Sequence, residues 1–109
     1  MTQTHRIIPT HPGIVLWTEF LQPYGITRSE IAAATGIPNS RLTEIFSGRR
    51  SISAGTAIRI GKFLNLNPQS FINLQTGYDR IMAEIEFEDQ RPPVRITPSP
   101  KVFAHLAAA

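Results

Sequence analysis

Residues 26–50 read Ile26-Thr27-Arg28-Ser29-Glu30-Ile31-Ala32-Ala33-Ala34-Thr35-Gly36-Ile37-Pro38-Asn39-Ser40-Arg41-Leu42-Thr43-Glu44-Ile45-Phe46-Ser47-Gly48-Arg49-Arg50. Thr27 is placed to cap a helix start, and Glu30, three residues on, completes a capping box. Ile31 with the small Ala32, Ala33 and Ala34 lets that helix lie close to a neighbour. Gly36 then supplies a left-handed stop that a residue with a Cβ resists. Pro38 cannot continue the old helix but suits the first turn of a new one. In the second helix Leu42, Ile45 and Phe46 fall on one side at spacings of three and four, and Gly48 ends it before a pair of arginines.

Two short helices broken at a glycine are the outline of a helix-turn-helix. The side of the second helix opposite its apolar stripe carries Asn39, Ser40, Thr43, Glu44 and Ser47, all short or hydrogen-bonding. Side chains of this kind approach base edges and phosphates. Asn39 and Ser40 lie in the first turn, the part of such a helix that enters the major groove. Asn39 suits adenine through a paired donor and acceptor, its plainer role being a helix cap. Arg41 fits a guanine or a phosphate. Glu44 fits a cytosine amine, or holds Arg41 or Arg28 in place. Thr27 and Arg28 are expected to meet the sugar-phosphate backbone beside the free N–H groups of their helix. Arg49 and Arg50 form a second phosphate clamp, and Ser47 doubles as helix-end chemistry.

At 109 residues the chain fits one domain with a modest core. Its formal net charge is only +3, despite a pI near 10.0, so composition alone names no partner. Between Arg28 and Lys62, however, six basic residues face two acids, which concentrates positive charge around the proposed reading unit. There is no cysteine, and His5, His11 and His105 lack companions at ligand spacing, so neither a metal nor a cofactor is expected. His11 is read as orienting the first helix. No His-Glu-x-x-His, phosphate-binding glycine loop or nucleophile motif is present, and neither an enzyme nor a small-molecule substrate is indicated. The absence of an apolar signal core or membrane span points to a soluble, cytoplasmic protein without a membrane partner.

Residues 1–11, with Pro9, are expected to form an arm, residues 12–86 the folded domain, and residues 87–109 a proline-rich tail. The first helix starts near Pro12, turns Val15, Leu16, Phe20 and Leu21 to the core, and ends at Pro23 and Gly25. Ser53 caps a fourth helix from Ala54 to about Leu64, with Ala57, Ile58, Ile60, Gly61 and Leu64 as its apolar or small positions. Asn67-Pro68 opens the last helix, where Phe71, Leu74, Tyr78, Ile81 and Ile85 recur in steps of three and four. That seam outruns a small bundle. Pairing with a second copy through Leu74, Tyr78, Ile81 and Ile85 would bury it, and the alternative is cover by the chain's own tail. The tail holds four of the nine prolines and the cations Arg91, Arg95 and Lys101. Val102, Phe103 and Leu106 suit a closing helical turn or two.

The order of these signals resembles the HigA family of antitoxins, within the wider class of phage-repressor-like helix-turn-helix proteins. Four pieces carry the resemblance over roughly residues 11–80: His11-Pro12-Gly13; Glu19-Phe20-Leu21 with Pro23 and Gly25; Ser47-Gly48-Arg49-Arg50 with Ile52 and Thr56-Ala57; and Phe71-Ile72-Asn73-Leu74-Gln75 with Tyr78-Asp79. The resemblance implies an all-α bundle of about five helices and a bacterial homodimer. It further implies binding to a double-stranded operator with inverted repeats in its own promoter, and neutralisation of a HigB-type toxin that cleaves mRNA on the ribosome. Ile14 and Trp17 depart from the pattern, replacing a charged and a polar residue. They share a helix face, and if exposed they suggest contact with the toxin, the second subunit, or Phe103 and Leu106 folding back. Two other functions remain open on sequence grounds: a stand-alone phage-type repressor, and a toxin-binding protein whose DNA binding is weak.

Overall fold

The computed structural model describes residues 7–102, and all regular structure among them is helical. Helix α1 (Pro12–Val15) runs without a break into a π-helical segment (Leu16–Leu21) and a closing 3-10 turn (Gln22–Tyr24). There follow α2 (Arg28–Thr35), α3 (Asn39–Phe46), α4 (Ala54–Leu64) and α5 (Pro68–Glu88). Taken with its first run as one helix, this is the expected five-helix arrangement.

Local chemistry sets most of the boundaries. His11 Nδ1 accepts the Gly13 N–H at 2.9 Å and opens α1. The capping box at α2 is complete: the Thr27 hydroxyl accepts from Glu30 N at 3.1 Å while the Glu30 carboxylate accepts from Thr27 N at 3.0 Å. Gly36 and Gly48 sit in the left-handed region at φ 77° and 82°, closing α2 and the turn after α3. Pro38 stands one place earlier than a first-turn residue: it is the N-cap of α3, its backbone extended and its carbonyl accepting from Leu42 N. Ser53 and Asn67 cap α4 and α5 through their side chains.

The first run differs from expectation in register. A π turn takes one more residue than an α turn, so residues five apart come to share a face. Leu16 and Leu21 are therefore both fully buried, whereas Phe20 is rotated to the rim at 37% exposure and Val15 is half-buried. Phe20 meets Phe71 edge-on at 5.8 Å. In α2 only Ile31 and Thr35 are buried, and Ala33 and Ala34 face outward. In α4, Ala57, Ile60 and Gly61 face the core, but Ile58, one residue off that stripe, is exposed.

Leu42 and Ile45 of α3 are fully buried, and close backbone approaches set this helix against its neighbours. A Cβ on Gly13 would overlap the carbonyl of Ile45, so α1 lies directly against α3. Arg59 of α4 donates to the carbonyl of Thr35 at 2.6 Å and closes the C-terminal end of α2. Gln75 of α5 is buried, accepting from Ile52 N at 2.8 Å and donating to Asp79 at 2.9 Å, which ties the loop after α3 to α5.

Candidate nucleic-acid interface

The first turn of α3 presents Asn39, Ser40 and Arg41, all exposed. No side chain caps this helix, so Asn39 does not fill the capping role. Among the described residues these three side chains have no hydrogen-bond or ionic partner. One turn on, the half-buried Thr43 donates its hydroxyl back to the Asn39 carbonyl at 3.0 Å, which commits its one donor to the helix.

The later part of α3 is occupied by its own supports. Glu44 accepts from Arg50 Nε at 2.7 Å, rather than holding Arg41 or Arg28. Ser47 accepts from Arg49 Nε at 3.0 Å and donates to the Glu44 carbonyl at 3.2 Å. Both arginines of the turn are thus held at Nε, and the terminal nitrogens of each remain available for a bidentate contact with phosphate. The Glu44–Arg50 pair is about half exposed on each side. Such a pair contributes little stability, so its effect is to fix a position.

At the start of α2, the N–H groups of Thr27 and Glu30 are consumed by the capping box, and the Thr27 hydroxyl also lies 3.3 Å from the Glu30 carboxylate. The N–H groups of Arg28 and Ser29 and the exposed Ser29 hydroxyl are what this end offers an anion. Ser29 was not singled out from the sequence; its place in the first turn, beside Arg28, was the available signal. Arg28 lies over the Trp17 ring, 5.9 Å from its centroid, and Trp17 stacks on Phe46 at 5.0 Å. A guanidinium over an indole face is attracted by the ring quadrupole. Trp17 is therefore half-buried within the domain, linking an α2 arginine to the back of α3. Ile14 is also half-buried, with its side chain against Gly48. The fold-back partners Phe103 and Leu106 lie outside the described residues.

The helix-turn-helix family HTH_3 matches residues 19–71. Virulence-associated protein I of Dichelobacter nodosus is 40% identical over 74 residues, covering 68% of this chain and 68% of that protein. Antitoxin HigA-1 of Vibrio cholerae is 31% identical over 71 residues, covering 65% of this chain and 67% of that protein. The Pseudomonas aeruginosa antitoxin HigA, solved with the higBA promoter, superposes with a TM-score of 0.73 at 31% identity, covering 83% of this chain and 97% of that one.

The chain belongs to the HigA family.

In this HigA-family chain the expected dimerisation seam lies on the outer part of α5. Leu74 and Ile81 are exposed, Tyr78 and Ile85 half-buried, and α5 buries only Phe71 and Gln75. Tyr78 meets the His11 ring edge-on at 5.0 Å. Pro9 and Thr10 line a shallow depression with Leu74, Tyr78 and Ile81. The tail does not cover the seam over its described length, because residues 88–102 are all exposed. Helix α5 also ends at Glu88, slightly beyond the expected domain boundary. Residues 100–102 are helical, and the rest of the expected closing turn, with Phe103 and Leu106, lies outside the described residues.

Proposed function

We propose that this protein is the antitoxin of a type II toxin–antitoxin module. As a homodimer it binds an inverted-repeat operator, represses its own operon and neutralises a HigB-type toxin that cleaves mRNA on the ribosome. One observation carries the DNA half: Asn39, Ser40 and Arg41 stand exposed and unpartnered in the first turn of α3, among the described residues, with Arg28 at the start of α2 and Arg49 and Arg50 just past α3. The arginines position the protein on phosphates, and the free side chains read bases. Paired through Leu74, Tyr78, Ile81 and Ile85, two copies would set their α3 helices in half-sites about one helical turn, roughly 34 Å, apart. The toxin half is supported by membership of the HigA family and by the relative named antitoxin in Vibrio cholerae.

Fluorescence anisotropy with duplexes from the gene's own upstream region and with random duplexes tests the DNA half. Asn39→Ala should cost about 1–3 kcal/mol on the operator alone. Arg49→Ala should weaken all duplexes equally and lower the salt slope by about one. Equal affinity of the wild-type protein for both duplexes would sink the operator reading. For the toxin half, the small reading frame beside the gene should arrest growth when expressed alone and not when expressed with this chain. Arrest that persists on co-expression removes the antitoxin role.

A further inference from the structure

The chain has 11 basic and 8 acidic residues. Residues 90–109 contain Arg91, Arg95 and Lys101 and no acid, leaving eight basic against eight acidic residues in 1–89. The tail therefore carries the whole formal net charge of +3. Directly before it, residues 79–89 hold five of the eight acids: Asp79, Glu84, Glu86, Glu88 and Asp89. The ion pairs seen among the described residues, Arg50–Glu44 and Arg80–Glu84, include none of the tail cations. The Arg91 guanidinium donates to the backbone carbonyls of Glu88 and Gln90 at 3.0 and 2.8 Å, and the Arg95 and Lys101 side chains are exposed.

Shape and location favour a polyanion. Residues 93–99 form neither helix nor strand, and Pro92, Pro93, Pro98 and Pro100 stiffen the segment toward an extended form. A stiff chain loses less conformational freedom when it is ordered on a partner. Its widely spaced cations suit a ligand on which any successive charge will serve, as on DNA, with one phosphate charge per roughly 1.7 Å of axis. Helix α5 passes beside the phosphate clamp: Tyr78 packs on His11, and His11 lies against Gly48, next to Arg49. From Tyr78 to Glu88 the helix adds about 15 Å. The extended stretch 93–99 spans about 20 Å at roughly 3.1 Å per residue, a length comparable to the distance back to the level of the clamp.

We propose that residues 91–101 are a second DNA contact, a basic arm with an extended middle, lying on the phosphate backbone beside the half-site bound by α3. The proposal rests on the DNA-binding reading above. The arm supplies affinity without sequence preference.

The test is a salt titration of the full chain and of the triple variant Arg91→Ala, Arg95→Ala, Lys101→Ala, on the operator duplex and on a random duplex. The variant should lose about 0.9 of the salt slope for each phosphate contact removed, roughly 2–3 per protomer. It should bind both duplexes at least about tenfold more weakly near 0.15 M salt, with the operator-to-random ratio unchanged. Arg49→Ala in the same titration calibrates the change that one contact makes. Operator binding with an unaltered slope in the triple variant overturns the arm while leaving α3 as reader. Val94 and Ile96 flank Arg95 and are exposed, so a protein partner is the rival. Unaltered DNA binding together with lost protection against the neighbouring gene's product would establish that rival in place of the arm. A wild-type chain that binds no DNA removes the arm and the reading beneath it together.

Discussion

The two halves of α5 carry the same apolar rhythm and meet different surroundings. From Pro68 to Gln75 the helix buries Phe71 against the core and uses Gln75 to hold Ile52. From Thr76 to Glu88 the spacing continues through Tyr78, Ile81 and Ile85, yet no residue is buried. An amphipathic period says that a stripe will be covered, not by what. Here the first half is covered by this chain, and the second is the part that the proposed dimer would cover.

The largest effect expected from this contrast is at Phe71. Phe71→Ala should cost about 3–5 kcal/mol in urea unfolding at fixed protein concentration, because the ring is buried and leaves a cavity. A cost below about 1 kcal/mol would break the contrast. Next is Gln75→Leu, which fills similar space but orphans the Ile52 N–H. A loss of about 1–3 kcal/mol is expected, and a neutral result would show that water replaces the amide.

Ile81→Asp should change the stability of the dissociated chain by no more than about 0.5 kcal/mol, since the residue lies on the exposed side of the helix. Sedimentation should nevertheless show loss of self-association. A variant that still dimerises would exclude the distal seam as the interface. The smallest effect belongs to His11, at the junction of the two halves. Desolvation lowers its pKa below the ordinary 6.5, against an opposing pull from the charge of Asp79. The folded chain thus binds the proton less readily than the unfolded chain. Stability should fall as the pH drops below about 6.5 and level off below the folded pKa. Asn at position 11 preserves a capping acceptor without titrating, so His11→Asn should show a smaller loss over that window. Identical pH profiles for the two proteins would rule out His11 as the source.

Much of this fold was legible because its signals are local. Thr27 and Glu30, Ser53, and Asn67 with Pro68 act within three residues of themselves, and Gly36 and Gly48 act through their own backbone angles. The misread positions depend on partners or on register. Phe20 was misassigned because a π turn shifts which residues share a face, and no short-range spacing rule announces that widening. The partner of Glu44 lies across a turn, at Arg50. From sequence Trp17 reads as half of an apolar patch to be covered by the tail, the toxin or a second subunit, because its actual cover, Phe46, is distant in sequence, as is Ile52 from Gln75. In the candidate interface, residue types marked the exposed polar face of α3, while the division between free and occupied side chains required the folded chain.

The Nε contacts of Arg49 and Arg50 also bear on the cost of the proposed phosphate contact. A long side chain that becomes fixed only on meeting its ligand loses rotamer freedom at that moment, whereas these two are already restrained by Ser47 and Glu44. A lysine in either place has a single ammonium head; held by Ser47 or Glu44, it has no separate pair of terminal nitrogens to offer a phosphate. In the proposed clamp the turn after α3 would therefore be set before DNA arrives, and arginine combines that prior restraint with free terminal nitrogens where lysine does not.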